Sequence, residues 1–98
     1  MEIKITHGEQ MVIALQGRLD TVTSQDLLNA FANEEKNEAL VIVDMKELEY
    51  ISSAGLRALL AIKKELVANG KQLEIHNLNN ICLEVFKVTG FINVLTIK

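Results

Sequence analysis

Apolar and polar positions alternate at the start of the chain. In EIKITH, Ile3 and Ile5 share one face, the period of a strand, and Met11 to Leu15 form an apolar run within QMVIALQG. Gly8 between the two segments predicts a hairpin turn, and Gly17 predicts the end of the second strand. The period then changes. Leu27, Leu28 and Phe31 fall at helical spacing within residues 21–35, with Ala30 between them. Thr23, with Asp26 three residues on, predicts a capping box in which Asp replaces Glu. Ala39 to Val43 is a continuous apolar run rich in β-branched residues, the pattern of a strand buried on both faces.

The strongest helical pattern covers residues 55–70. Leu56, Leu59, Leu60, Ile62, Leu66 and Val67 form an apolar stripe, and Arg57, Lys63, Lys64 and Glu65 take the other face. Asn69-Gly70 is a helix stop, because Gly readily takes the left-handed conformation. KQLEIHN alternates Leu73 and Ile75 as a strand. Ile81, Cys82, Val85, Phe86 and Val88 recur at helical spacing, Gly90 predicts a second stop, and Phe91 is placed to pack back on the last turn. NVLTI predicts a short final strand. The order is β-β-α-β-α-β-α-β, which specifies an α/β fold: a mixed β-sheet with an N-terminal antiparallel hairpin, then parallel strands, covered by α-helices. Val41, Ile42 and Val43 are expected in a central strand with both faces covered.

Composition narrows the class. A chain of 98 residues, 49% apolar and 23% charged, is expected to form one domain over residues 1–98 with one modest core. One cysteine excludes a disulfide scaffold. No apolar stretch approaches the roughly 20 residues of a membrane span, and no basic segment leads into an apolar one at the start. A cytoplasmic protein is expected. Ten Lys and Arg against thirteen Asp and Glu give a net charge of −3. The basic residues are scattered, and the one adjacent pair, Lys63 and Lys64, reads as a solvated helix face. Nucleic acid needs a basic stripe and an electrostatic membrane anchor needs a basic cluster. The expected partners are therefore proteins or small molecules, with no direct nucleic acid and no membrane insertion.

Most catalytic constellations are missing. His7 and His76 lack a metal-ligating partner at i+3 or i+4 and read as ordinary strand-end residues. Cys82 lies on the apolar side of its helix and reads as core. There is no Gly-rich phosphate loop, so no cofactor and no metal are expected. Asp44 follows the buried strand, where open α/β sheets place their sites. A phosphoacceptor aspartate of receiver type needs further acids and a lysine at other strand ends, and these are absent. Asp44 then reads as a turn residue leading into a loop.

The strongest local feature is YISSAGLRALL, residues 50–60. Either Ser52 or Ser53 suits an N-cap, whose hydroxyl satisfies an orphan N–H of the first turn. A phosphorylated serine also suits a helix start, where the dipole and free N–H groups stabilise an anion. The two readings are compatible if one hydroxyl caps and the other stays exposed. The small segment Ser53-Ala54-Gly55 lets a partner approach closely.

At these residues the sequence resembles the STAS family, named for sulfate transporters and anti-sigma factor antagonists. Three elements carry the resemblance: VIVDMKELEYISSAGLRALL at residues 41–60, GRLD at 17–20 and VTGFINVLTI at 88–97. The resemblance is to the stand-alone anti-sigma factor antagonists of bacteria. It implies that the chain binds an anti-sigma factor serine kinase, which supplies ATP and Mg, and thereby frees a sigma factor. It implies that the kinase phosphorylates the serine two residues before the motif glycine, here Ser53 before Gly55, with Ser52 second. It implies that a metal-dependent serine phosphatase restores the active form, and that the chain is no enzyme itself. The implied partner-binding set is Asp20, Thr21, Ser52, Ser53, Ala54, Gly55 and Arg57.

The best-known members carry Asp immediately before the acceptor, and this chain carries Ser52 there. Asp20, Asp44, Glu47 and Glu49 are expected near Ser53. The resemblance also implies that Asp20→Ala weakens binding or phosphorylation, and that Gly55→Val hurts kinase binding more than folding. The alternative within the family is a non-phosphorylated STAS accessory subunit of a membrane transport or lipid-trafficking complex. A small-ligand or nucleotide binder lacks a phosphate loop, and a small enzyme lacks a convergent acid, base or nucleophile.

Overall fold

The computed structural model describes residues 1–98. Strands β1 (Glu2–Thr6) and β2 (Met11–Leu19) form the antiparallel hairpin. Helix α1 (Thr21–Ala32), strand β3 (Leu40–Ile51), helix α2 (Ser53–Ala68), strand β4 (Gln72–His76) and helix α3 (Asn80–Thr89) follow. A 3-10 turn at Phe91–Asn93 leads to strand β5 (Thr96–Ile97). The element order is the one the periodicities predict.

The sheet order is β1-β2-β3-β4-β5, and every pairing after the hairpin is parallel. Each crossover therefore steps in the same direction. Right-handed connections then put all three helices on one face. Burial agrees, because one core cluster joins alternate strand residues to every helix. Met11, Ile13 and Leu15 of β2, Val41 and Val43 of β3, and Leu73 and Ile75 of β4 meet Leu27 and Phe31 of α1, Leu56, Leu59, Ile62 and Leu66 of α2, and Cys82 and Phe86 of α3. Val41, Ile42 and Val43 are all buried in the middle strand, as expected, but helices cover only one of its two faces. Ile42 is buried outside that cluster, on the helix-free face, between Val12 and Glu74 of the neighbouring strands.

Three local expectations are corrected. Gly17 does not end β2. It sits inside the strand at φ 107°, next to a register shift, and pairing continues to Leu19 opposite Ile51. The α1 cap is Asp20 with Thr23, one turn earlier than Thr23 with Asp26: Thr23 is the N3 residue, and Asp26 is exposed. Asp44 starts no loop, because β3 runs on to Ile51. Between Asp44 and Tyr50 it holds two more residues than β2 does across the same pairs. Each extra residue forms a bulge that flips the inward parity. That is why Met45, Leu48 and Ile51 all face the core at a spacing of three.

The helical stripes are narrower than predicted. Leu60 is half-buried, and Val67, Ile81 and Val88 are exposed. The predicted stops hold. Gly70 and Gly90 have φ of 74° and 80°, just past α2 and α3, and Phe91 packs against the core.

Candidate functional site

The parallel strands β2 and β3 end side by side, with Leu19 opposite Ile51. The next residue on each is a helix N-cap: Asp20 opens α1 and Ser52 opens α2. The Ser52 N–H donates to the Leu19 carbonyl at 2.9 Å, which ties the two starts together. Extended backbone at Asp20 and Ser52 aims each side chain at its own first turn.

The two serines divide the work. The Ser52 hydroxyl accepts from the Gly55 N–H at 3.3 Å, and the Ser52 carbonyl accepts from the Leu56 N–H at 3.0 Å. Ser52 is half-buried and committed to the cap. Ser53, the first residue of α2, is exposed and its hydroxyl takes no part in the cap. Ala54 is half-buried. Arg57, one turn along α2, is exposed and outside the ion pairs of the chain.

Asp20 is more constrained than a free surface acid. One carboxylate oxygen accepts from the N–H groups of Val22 and Thr23 at 3.1 and 3.0 Å, and the Asp20 N–H donates to the Thr23 hydroxyl at 2.8 Å. The Thr23 N–H and then the Thr23 hydroxyl hold the Asp20 carboxyl below its ordinary range, helped by Val22 N–H and the Arg18 charge. Thr21 and Val22 extend the exposed surface, Val22 at 75% exposure. Arg18 lies over the Tyr50 ring, 4.4 Å from its centroid.

Gly55 is buried between the two starts. A Cβ there would come within 2.8 Å of Ile51 Cγ1, 2.9 Å of Leu19 Cγ and 3.0 Å of the Leu19 carbonyl oxygen. The crowding atoms belong to this chain's own strands, so a Cβ at Gly55 strains the fold itself, whatever it does to a partner. Gly55 acts by letting α2 seat against the ends of β2 and β3.

The structure gathers Asp20, Thr21, Ser52, Ser53, Ala54 and Gly55 at one edge. It does not bring Asp44 there. Asp44 lies seven positions down β3 from Ile51, on the order of 20 Å away for extended chain. Its carboxylate accepts from the Lys46 N–H and the Asn77 side-chain amide, both at 3.0 Å. It thereby pins the first bulge to the turn after β4, where Asn77 takes a φ of 64°. Glu49 is the nearer of the two β3 glutamates, both exposed. Cys82 is buried, and burial pushes its thiol up, away from reactivity. No helix is long and apolar enough to cross a membrane.

Fold and site together define an α/β domain with a free serine hydroxyl at a helix start. The sequence matches the STAS domain over residues 1–98, and the chain belongs to that family. BtrV of Bordetella bronchiseptica, named as a candidate anti-sigma factor antagonist, is 33% identical over 96 residues, covering 96% of this chain and 83% of BtrV. The anti-sigma factor antagonist SpoIIAA, solved unphosphorylated, has the same fold at a TM-score of 0.76 and 19% identity, over 99% of this chain and 87% of that one. The phosphorylated form of SpoIIAA from Bacillus matches at 0.73 and 19% identity, over 99% and 91%.

Proposed function

We propose that the chain is an anti-sigma factor antagonist, a regulatory domain without catalysis of its own. It works in the cytoplasm by docking the α1–α2 edge onto an anti-sigma factor serine kinase. The observation that carries the reading is the division between the serines: Ser52 is consumed by the cap, and Ser53 presents a free hydroxyl beside it. The name of BtrV and the phosphorylated form of SpoIIAA support it. In the switching step, the Ser53 oxygen attacks the γ-phosphorus of ATP held with Mg on the kinase. The bond to ADP breaks, and the hydroxyl proton passes to the kinase. A metal-dependent serine phosphatase restores the hydroxyl by hydrolysis: water attacks the phosphorus, the bond to the Ser53 oxygen breaks, and inorganic phosphate leaves.

Phosphate adds about −1.5 to −2 charge at neutral pH. The surface around Ser53 includes Asp20, the α1 cap, Thr21 on α1 and Arg57 on α2, so the added charge falls within the docking face itself. Burying it against a dry or acidic partner surface costs several kcal/mol, and each 1.4 kcal/mol is tenfold in affinity. Binding switches off without refolding.

The test is incubation with a co-encoded serine kinase and MgATP, read by intact mass and peptide sequencing. One phosphate on Ser53 is expected, retained in Ser52→Ala and lost in Ser53→Ala, which still binds the kinase. Modification of Ser52 in the Ser53→Ala variant shifts the acceptor by one residue. Modification of neither serine overturns the reading in favour of a non-phosphorylated docking subunit.

A further inference from the structure

At the end of α1 remote from the serines, three side chains from distant parts of the sequence converge. His7 follows β1 in the hairpin turn. Its Nδ1 lies 2.7 Å from a Glu38 carboxylate oxygen and its Nε2 lies 2.7 Å from a Glu34 carboxylate oxygen. Glu34 stands just past the C-terminus of α1, and Glu38 lies in the connection to β3. Both imidazole nitrogens therefore face carboxylate oxygens at hydrogen-bond distance. A neutral imidazole has one N–H and can donate to only one of them, whereas the imidazolium donates to both.

We propose that His7 is a proton-operated latch that fastens the β1–β2 turn onto the α1–β3 connection. The two contacts are unequal. The Glu38 side chain is 6% exposed and also accepts from the Gly8 and Asn37 N–H groups at 3.3 and 3.1 Å, and its backbone carbonyl accepts from Lys71 Nζ at 2.9 Å. The Glu34 side chain is 33% exposed and has no such backing. When His7 loses its proton, Nδ1–H stays with Glu38, and the Nε2–Glu34 contact opens.

The charges around the ring agree with this order. The hydrogen bond to Glu34 and then that to Glu38 raise His7 above its ordinary value of 6.5. Burial opposes ionisation of Glu38, but the hydrogen bonds from His7, its own backbone and Gly8 outweigh it and hold the carboxyl below its ordinary range. Glu35 lines the same polar hollow, of about 570 Å³, with Asn33 and Asn37. The nearby cations point elsewhere: Lys36 Nζ to the Glu34 carbonyl and the Phe31 ring, and Lys71 Nζ to the Glu38 carbonyl. Neither takes over from His7 at the carboxylates. A raised folded pKa means that both arms of the latch are present below 6.5 and that the Glu34 arm is lost as pH rises through the His7 titration.

The latch is tested by NMR titration of the His7 ring, assigned with the His7→Gln variant, and by amide exchange at Gly8 in both proteins. The expected results are a His7 midpoint above 6.5, an Nδ1–H tautomer above that midpoint, and a lower midpoint in Glu34→Gln. Gly8 exchange should be slower in the parent than in His7→Gln at pH 5.5, with the ratio falling as His7 deprotonates. A midpoint at or below 6.5, or an exchange ratio constant from pH 5.5 to 8.5, overturns the latch. The ring titration is read in the parent protein and stands even if a variant folds poorly.

Discussion

At the scale of single residues, two adjacent serines with the same side chain do different jobs because one peptide unit separates them. Ser52 sits outside the helix in extended backbone and bonds the Gly55 N–H, whereas Ser53 sits inside the first turn and faces water. Stability measurements separate them. Ser52→Ala is expected to lower the unfolding free energy by about 1 kcal/mol, the usual worth of a cap, with Ser53→Ala close to neutral. Urea unfolding of the two variants decides it, and equal losses would mean that both hydroxyls cap. The sequence carried this choice only as a pair of alternatives. The α1 cap went to the wrong pair, because Thr23–Asp26 and Asp20–Thr23 have the same spacing of polar residues. The end of β2 at Leu19 settles it, and that end is fixed by pairing with Ile51. The His7–Glu34–Glu38 cluster left no local trace, since 27 and 31 residues separate its partners.

At the scale of elements, Gly55 is the point where α2 meets the ends of β2 and β3. Any Cβ there is closer than 3.0 Å to Ile51 and Leu19 side-chain atoms and reaches 3.0 Å from a backbone oxygen that cannot move alone. Gly55→Ala is expected to cost about 1–3 kcal/mol through overpacking, and Gly55→Val more. Thermal melting checks both. An unchanged midpoint in Gly55→Ala would return the glycine to a role in partner approach. The helices and the parallel order were legible from periodicity, and so was the core of β3. The second half of β3 was not. Its inward residues Met45, Leu48 and Ile51 recur every third position, which reads as neither strand nor helix until two bulges are allowed for. The α2 and α3 stripes were overdrawn for a different reason. A one-sided sheet offers each helix only a narrow contact, so Val67, Ile81 and Val88 at the stripe margins stay in water.

For the whole molecule, the shifted groups set a pH window. Asp20 and Glu38 have folded pKa values below their unfolded ones, so their stabilisation is present above about pH 4.5 and is lost as pH falls through the folded values. His7 acts in the opposite sense, with its stabilisation intact below 6.5 and lost as pH rises. Maximum thermal stability is expected between about pH 4.5 and 6.5. Melting curves from pH 3 to 9 test this, and a flat profile from pH 6 to 9 would contradict the His7 contribution. The strand order β1 to β5 also bears on how the chain acquires its structure. Every strand pairs only with its immediate predecessor and successor along the polypeptide. A ribosome releasing the chain from its N-terminus thus delivers each strand to a partner already present, and no segment must wait for a distant one. Loop closures stay short, which favours rapid folding. The sheet can grow during synthesis, with the two-residue β5 as its closing stitch.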